Sequence, residues 1–290
     1  MLYNTDKQVK ILITGANGQL GSELQDVLKD NQNYECFFLD RKQLPLDHTM
    51  IIQDILGMYQ PDVIIHAAAY TAVDKAEGDQ ELAERINYLA TEEIAQYCRL
   101  NGVKLLAIST DYVFDGKSSV PLREEATVNP LNVYGLTKRQ GEEAIFKWCS
   151  DAIIIRTSWV YSSYGTNFVK TMLRLMDERE EISVINDQIG SPTYAHDLAK
   201  AIVYIIESDN WQAGIYHYSN EGQISWYDFA VAIREIRGLS CRINSISTSD
   251  YPTAAKRPAY SLLDKSKIKN TFGIDVPDWK DSLKEMLNKL

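Results

Sequence analysis

Short apolar runs alternate with amphipathic segments through the first half of the chain. Val9 to Thr14 reads as a strand and Gln19 to Leu28 as a helix, because its apolar positions return every three or four residues. Tyr34 to Leu39 predicts a second strand, Thr49 to Tyr59 a helix, and Asp62 to His66 a third strand. Ala76 to Leu100 predicts one long helix, Val103 to Ile108 a strand, Gly135 to Trp148 a helix, and Ala152 to Ile155 a further strand. Strands this uniformly apolar are buried on both faces, and strand–helix alternation joins them as right-handed crossovers. The expected fold class is α/β, a doubly wound parallel sheet of the dinucleotide-binding type.

Beyond about residue 160 the rhythm loosens. Phe168 to Met176, Asp197 to Glu207, Ser225 to Arg237 and Trp279 to Leu287 predict helices, with short strands at Ile182 to Val184 and Ile215 to Tyr218. The expected division is a dinucleotide-binding domain over 1–160. A smaller, mainly substrate-binding lobe follows over 161–290, some of its segments interleaving with the sheet. No flexible linker or internal repeat separates them, so a cleft between the two is expected.

Composition narrows the partners. The net charge of −10 lacks the basic face that nucleic acid or an anionic membrane would need. It leaves room for a small anionic ligand, which backbone N–H groups can hold whatever the net charge. No apolar run reaches the roughly 18 residues of a membrane span. The first residues show no basic leader followed by an apolar core, so the expected location is the cytoplasm. The four cysteines, Cys36, Cys98, Cys149 and Cys241, form no Cys-x-x-Cys pair, and no metal site is expected from them or from His196 beside Asp197.

Gly15-Ala16-Asn17-Gly18-Gln19-Leu20-Gly21 joins the first strand to the first helix. Gly15 permits a tight turn, Gly18 a close approach of backbone to a pyrophosphate, and Gly21 close packing of helix on sheet. Asp40 ends the second strand, where a carboxylate accepts from an adenosine ribose, which favours NADH. Arg41 beside it suits the 2′-phosphate of NADPH. Asp47 is a further candidate near the adenine.

Tyr134 and Lys138 open a predicted helix four residues apart, on one face. An ammonium and a nicotinamide cation nearby would lower the phenol pKa, and the phenol would protonate a carbonyl oxygen. With 17 tyrosines such spacing also arises by chance, and Tyr3 with Lys7 is a second instance, ahead of the first strand. Tyr134 and Lys138 differ because they follow the strand carrying Ser109-Thr110-Asp111, whose carboxyl end faces a cofactor in this fold.

The glycine turn, Ala67-Ala68-Ala69 and Tyr134-x-x-x-Lys138 resemble the extended short-chain dehydrogenase/reductases. Longer strings narrow the resemblance: Ala69 to Glu77, Ser109 to Phe114, Pro130 to Gly135, Arg156 to Tyr161, and Asn186-Asp187-Gln188-x-Gly190-x-Pro192-Thr193. They are similar to the members that reduce the 4-keto group of dTDP-linked deoxysugars, over nearly the whole chain. The resemblance implies that Tyr134 donates the proton, Lys138 holds the nicotinamide ribose, and Thr110, with Asp111 beside it, bonds the keto oxygen. It implies that Gly18, Gln19 and Leu20 line the pyrophosphate and Ala67, Ala68 and Ala69 the inner face of NADPH or NADH. Thr71, Val73 and Trp159 would contact the sugar, Asn186, Asp187 and Gln188 the nucleotide, and Arg257 the diphosphate. Core packing is the alternative for Val73 and Trp159, a plain surface arginine for Arg257. A homodimer is admitted. Some members join a dimer through magnesium on acidic side chains; Glu23 fits that pattern, but His196 stands where an acid would be, so that link does not carry across. Two other readings stay open: an epimerase or 4,6-dehydratase of the same fold, and a non-catalytic dinucleotide-binding subunit of the methionine adenosyltransferase type.

Overall fold

The computed structural model describes residues 8–208 and 210–290; the pair Tyr3 and Lys7 lies outside the described residues. Strands β1 (Val9–Thr14), β3 (Val63–His66), β4 (Lys104–Thr110) and β5 (Ile153–Thr157) carry branched or long aliphatic residues that fit a pleat packed on both faces, whereas β2 (Tyr34–Leu39), at the sheet edge, is rich in aromatic residues and mostly half-buried. Helices α1 (Gln19–Leu28) and α2 (Ile52–Tyr59) connect β1, β2 and β3.

The single long helix expected after residue 76 is broken instead. The chain forms α3 (Val73–Ala76), α4 (Gln80–Glu84), a π-helical turn at Arg85–Leu89 and then α5 (Ala90–Asn101). Gly78 interrupts the first stretch. The π turn inserts an extra residue per turn, which swings Asn87 inward, where it is 1% exposed. Helix α6 (Val133–Trp148) starts under an Asn132 cap whose side chain accepts from Gly135 N–H at 2.8 Å.

Past β5 come β6 (Val160–Tyr161), α7 (Phe168–Glu178), β7 (Glu181–Ile185), β8 (Ile189–Gly190), β9 (Thr193–Tyr194) and α8 (Ala195–Glu207). Strand β10 (Gly214–His217) returns to the main sheet; β11 (Ile224–Ser225), α9 (Trp226–Arg237), β12 (Arg242–Ile246), α10 (Ser266–Phe272) and α11 (Trp279–Leu287) complete the chain.

The main sheet has six strands in the order β10-β5-β4-β3-β1-β2, every adjacent pair parallel. Alternate residues of β1 point to opposite cores. Ile11 and Ile13 pack with Leu20 and Leu24 of α1 and Leu198 and Ile202 of α8. Leu12 packs with Ile52 and Leu56 of α2 and Ile94 of α5. Burying such a side chain contributes roughly 1.5–3 kcal/mol. A strand and a covering helix of this sheet, β10 and α8, thus come from beyond residue 160. The lobe has its own core, in which Val169 and Met172 of α7, Ile182 and Val184 of β7, Phe229 and Ile233 of α9, and Leu283 and Met286 of α11 meet.

Because β2 and β3 lie on opposite sides of β1, the strand order reverses between β1 and β3. A crevice opens at the carboxyl ends of those two strands, and in such sheets that is where ligands bind.

Candidate active site

The cleft above this switch point has a volume of ≈ 830 Å³, within the range of small-molecule sites. Gly15 has φ +80, and a Cβ on it would meet Ala68 Cα at 3.0 Å. A Cβ on Gly21 would stand 2.2 Å from the Gly15 carbonyl oxygen. The turn is pinned by Gly15 and Ala16 N–H groups donating to Leu39 carbonyl at 3.0 and 3.1 Å. Gly18 caps α1 with no side chain, which leaves first-turn N–H groups facing the cleft. A tight glycine cradle with free amide donors fits the pyrophosphate of a dinucleotide, and Gly15, Asn17, Gly18, Gln19, Leu20 and Gly21 all line the cleft.

Asp40, Arg41 and Asp47 line its far end. Backbone N–H groups of Gln43 and Lys42 hold the Asp40 carboxyl below the usual range, and Asn17 donates to its other oxygen at 3.3 Å. Arg41 reaches Asp47 at 3.6 Å but is otherwise exposed, so its guanidinium stays available to an anion.

Ala67, Ala68 and Ala69 form the inner wall, set by a buried network. Thr14 Oγ1 accepts from Ala68 N–H at 3.0 Å and lies 2.9 Å from His66 Nδ1; His66 Nε2 lies 3.1 Å from Thr91 Oγ1. Thr91 gives its own proton to the Asn87 carbonyl at 2.9 Å, so His66 must donate from Nε2 and accept from Thr14 at Nδ1. Burial, then Lys138, pushes the His66 pKa down to about 3, which keeps this tautomer neutral. Asn87 in turn accepts from Tyr70 N–H at 2.8 Å and donates to the Tyr70 carbonyl and Thr137 Oγ1, both at 3.1 Å. The π turn thereby ties the loop after Ala69 to the helix carrying Tyr134 and Lys138. Nothing in the sequence pattern marked Asn87, since the break in the long helix was not visible there.

Thr110, Asp111, Tyr134 and Lys138 converge on the cleft at the end of β4 and the start of α6. Burial pushes the Tyr134 phenol up to about 12, with a hydrogen bond to Thr110 opposing and Asp111 adding. The lowering expected from the ammonium is not seen. Lys138 Nζ donates to the Ile108 carbonyl at 2.7 Å, and burial pulls its own pKa down to about 8 against Glu142 one turn along. Desolvation also raises Asp111 to about 6, and Thr110 Oγ1 donates to it at 3.1 Å. Glu142 is held by Arg156, whose Nε and Nη2 donate at 2.8 and 2.7 Å, and by Ser109 Oγ at 2.6 Å.

On the sugar side, Thr71, Val73 and Trp159 line the cleft. Trp159 has φ +48, a left-handed conformation that costs a residue with a Cβ of order 1–3 kcal/mol. Further lining residues were not foreseen. Tyr112 lies edge-on to Tyr134 at 5.5 Å, within a string already singled out; Gly165, Thr166 and Asn167 reach in from the lobe, with Asn167 donating to Gln19 Oε1 at 2.9 Å. Asn186, Asp187, Gln188 and Arg257 do not line the cleft. Asp187 accepts from Thr248 N–H at 2.9 Å and Gln188 donates to Thr248 Oγ1 at 3.1 Å. Arg257 donates to Asp74 through Nη2 at 2.6 Å and Nη1 at 3.1 Å. Glu23 is fully buried; it accepts from Ser162 at 2.6 Å and meets His196 Nδ1 at 3.0 Å. Both carboxylate oxygens of Glu23 are thus engaged within the chain, and no cluster of three potential ligands occurs among the described residues.

A phenol, an ammonium and a hydroxyl gathered at the carboxyl edge of a doubly wound sheet, next to a glycine cradle, place the chain among the dinucleotide-dependent oxidoreductases of the extended short-chain type. Residues 9–290 match the family model described as RmlD substrate binding domain, and the chain belongs to that family. It is similar to the dTDP-4-dehydrorhamnose reductase of Aggregatibacter actinomycetemcomitans, 42% identical over 96% of this chain and 98% of the relative. It is equally similar to the spore coat polysaccharide biosynthesis protein SpsK of Bacillus subtilis, 42% identical over 97% of each. Among solved structures, the dTDP-4-dehydrorhamnose reductase of Bacillus anthracis in complex with NADP superposes with a TM-score of 0.93 at 40% identity, over 98% of this chain and 100% of that one.

Proposed function

We propose that this chain reduces the C4 ketone of dTDP-4-dehydro-L-rhamnose to give dTDP-L-rhamnose, the last step of dTDP-rhamnose biosynthesis, with NADPH as donor and NADH as a second. The convergence of Thr110, Tyr134 and Lys138 on one cleft carries this reading. It is supported by relatives of matching length that bear the name of this activity.

Bound NADPH supplies the hydride. The chain's own groups do the rest. Gly18, Gln19 and Leu20 would hold the pyrophosphate, Lys138 the nicotinamide ribose, and Ala67 to Ala69 the inner face. Tyr134, protonated at any pH below about 12, gives its proton to the ketone oxygen as negative charge develops there. Lys138 gives one N–H to the Ile108 carbonyl; with the ribose bound, its other two would turn the ammonium toward the phenolate left behind, and solvent returns the proton. Thr110 turns its hydroxyl from Asp111 to the same oxygen, exchanging one hydrogen bond of about 1 kcal/mol for another. The sheet body would bind the cofactor, and the sugar would lie against Thr71, Val73 and Trp159 from loops of that same body, with Gly165 to Asn167 reaching in from the lobe. We place the reaction in the cytoplasm, where reduced nicotinamide and nucleotide sugars are made; no helix among the described residues is long and apolar enough to cross a membrane.

An epimerase or dehydratase would recycle tightly held NAD. Thr110 is followed by Asp111 and Tyr112, with no glutamate to assist elimination of water. The deciding experiment supplies purified chain with NADPH or NADH and a panel of keto-sugar nucleotides. One nicotinamide oxidised per sugar reduced is expected. Turnover without net oxidation would favour the epimerase class, and cofactor binding with no turnover at all would favour the regulatory-subunit reading.

A further inference from the structure

Trp159 is held in a backbone conformation that a tryptophan does not choose, and three features hold it there. The Trp159 carbonyl accepts from Thr193 N–H at 3.2 Å, and the neighbouring Ser158 Oγ donates to the Ser191 carbonyl at 2.7 Å. The Trp159 indole lies flat on that of Trp226, with centroids 3.7 Å apart and planes 14° apart. Residue 190 is a glycine, and a Cβ there would press on Trp159 Cε2 and Cζ2 at 3.0 Å.

Trp226 is itself braced. It is the first residue of α9, whose start is fixed by a capping box between Ser225 and Asp228. Phe168 of α7 leans on its ring at 4.6 Å. Trp159 lines the cleft, whereas Trp226 does not. A strained residue persists only where its surroundings over-determine it, and here the surroundings are an aromatic stack rooted in the lobe core.

We propose that Trp226 is a positioning residue for sugar reduction: by stacking on Trp159 it holds that indole as a preformed flat wall on the sugar side of the cleft. This rests on the reduction proposed above. The wall limits the tilt of the bound sugar ring, so that the ketone oxygen meets Tyr134 and Thr110. Loss of the stack lets Trp159 relax to ordinary backbone angles and swing its ring away.

The test uses the full chain with W226F, W226A and G190A. Turnover of dTDP-4-dehydro-L-rhamnose, NADPH affinity and the exciton couplet of paired indoles in circular dichroism are read for each. W226A is expected to raise KM for the sugar about tenfold and lower kcat at least about threefold, the kind of loss a misplaced reactant brings, with NADPH Kd within about twofold. W226F, which keeps a flat ring, is expected to retain KM within about threefold although the couplet disappears. G190A, which pushes on the Trp159 ring without touching Trp226, is expected to raise KM as well, and decides the matter should W226A fail to fold. Unchanged kcat and KM in W226A, or unchanged KM in G190A where W226A does not fold, overturns the proposal. So does a wild-type spectrum without a couplet, or one that W226F leaves intact. A wild-type chain that shows the couplet but turns over no keto-sugar nucleotide overturns the proposed activity instead, because the stack is then read independently of turnover.

Discussion

On the cofactor side of the cleft the contacts come from backbone: a turn of three glycines, the open N–H groups of α1, and three alanines at the end of β3. On the sugar side they come from ring faces and hydroxyls, on loops that reach in from the lobe and from α3. The glycine turn is made by neighbours in sequence, its shape follows from which residues lack a Cβ, and the alanines join it through the pairing of β1 with β3. The second side is made by Thr71, Val73 and Trp159, with Trp159 backed by Trp226 and Gly190, positions far apart in sequence whose only link is the fold. A backbone site recognises a common group, pyrophosphate, while a side-chain site can be retuned for one sugar without disturbing the first.

Variants on each side sharpen that contrast. The largest effect is expected at the junction: Tyr134→Phe should lose at least about a hundredfold in kcat while NADPH Kd, by titration, stays within about threefold. A loss of cofactor binding instead would mean that the phenol belongs to the cofactor half. Next, Gly21→Ala places a methyl 2.2 Å from the Gly15 carbonyl oxygen. Overpacking of this kind costs about 1–3 kcal/mol, so NADPH Kd should rise roughly five- to hundredfold with the sugar KM little changed. Normal cofactor affinity in that variant would show that the turn need not be tight.

The third expectation concerns pH. Burial lowers the Lys138 pKa to about 8, so the ammonium prevails below that value and is lost as pH rises through it. kcat/KM should therefore fall above pH about 8, approaching tenfold per unit. In Lys138→Arg, which stays charged, that alkaline limb should vanish; its persistence would assign the limb to another group. The smallest effect is at the rim, where Arg41→Ala should raise KM for NADPH by roughly three- to tenfold and leave NADH within about twofold. Equal changes for both would make Arg41 a bystander.

The first half of the chain was largely legible. Continuous apolar strands, glycines at the first strand–helix junction and a Tyr–Lys pair after β4 are local signals, and the structure brings every proposed cofactor-side residue to one cleft. The misses follow from non-local causes. The π turn at Arg85–Leu89 is stabilised by Asn87 bridging Tyr70 and Thr137, partners in two other segments. The phenol is pushed up because burial outweighs its hydrogen bond with Thr110, while Lys138 turns to the Ile108 carbonyl. Arg257, a candidate for a diphosphate with a surface arginine as the alternative, pairs with Asp74 of a distant segment.

Residue order alone determined the class of sheet, the position of the phosphate turn and the choice of Tyr134 as the proposed proton donor, because each depends on spacing within a few residues and on which side chains are absent. Tertiary structure alone decided the tautomer of His66, the charge state of Lys138 and the strained stance of Trp159. Those properties depend on desolvation and on contacts between distant segments, which exist only once the chain has packed.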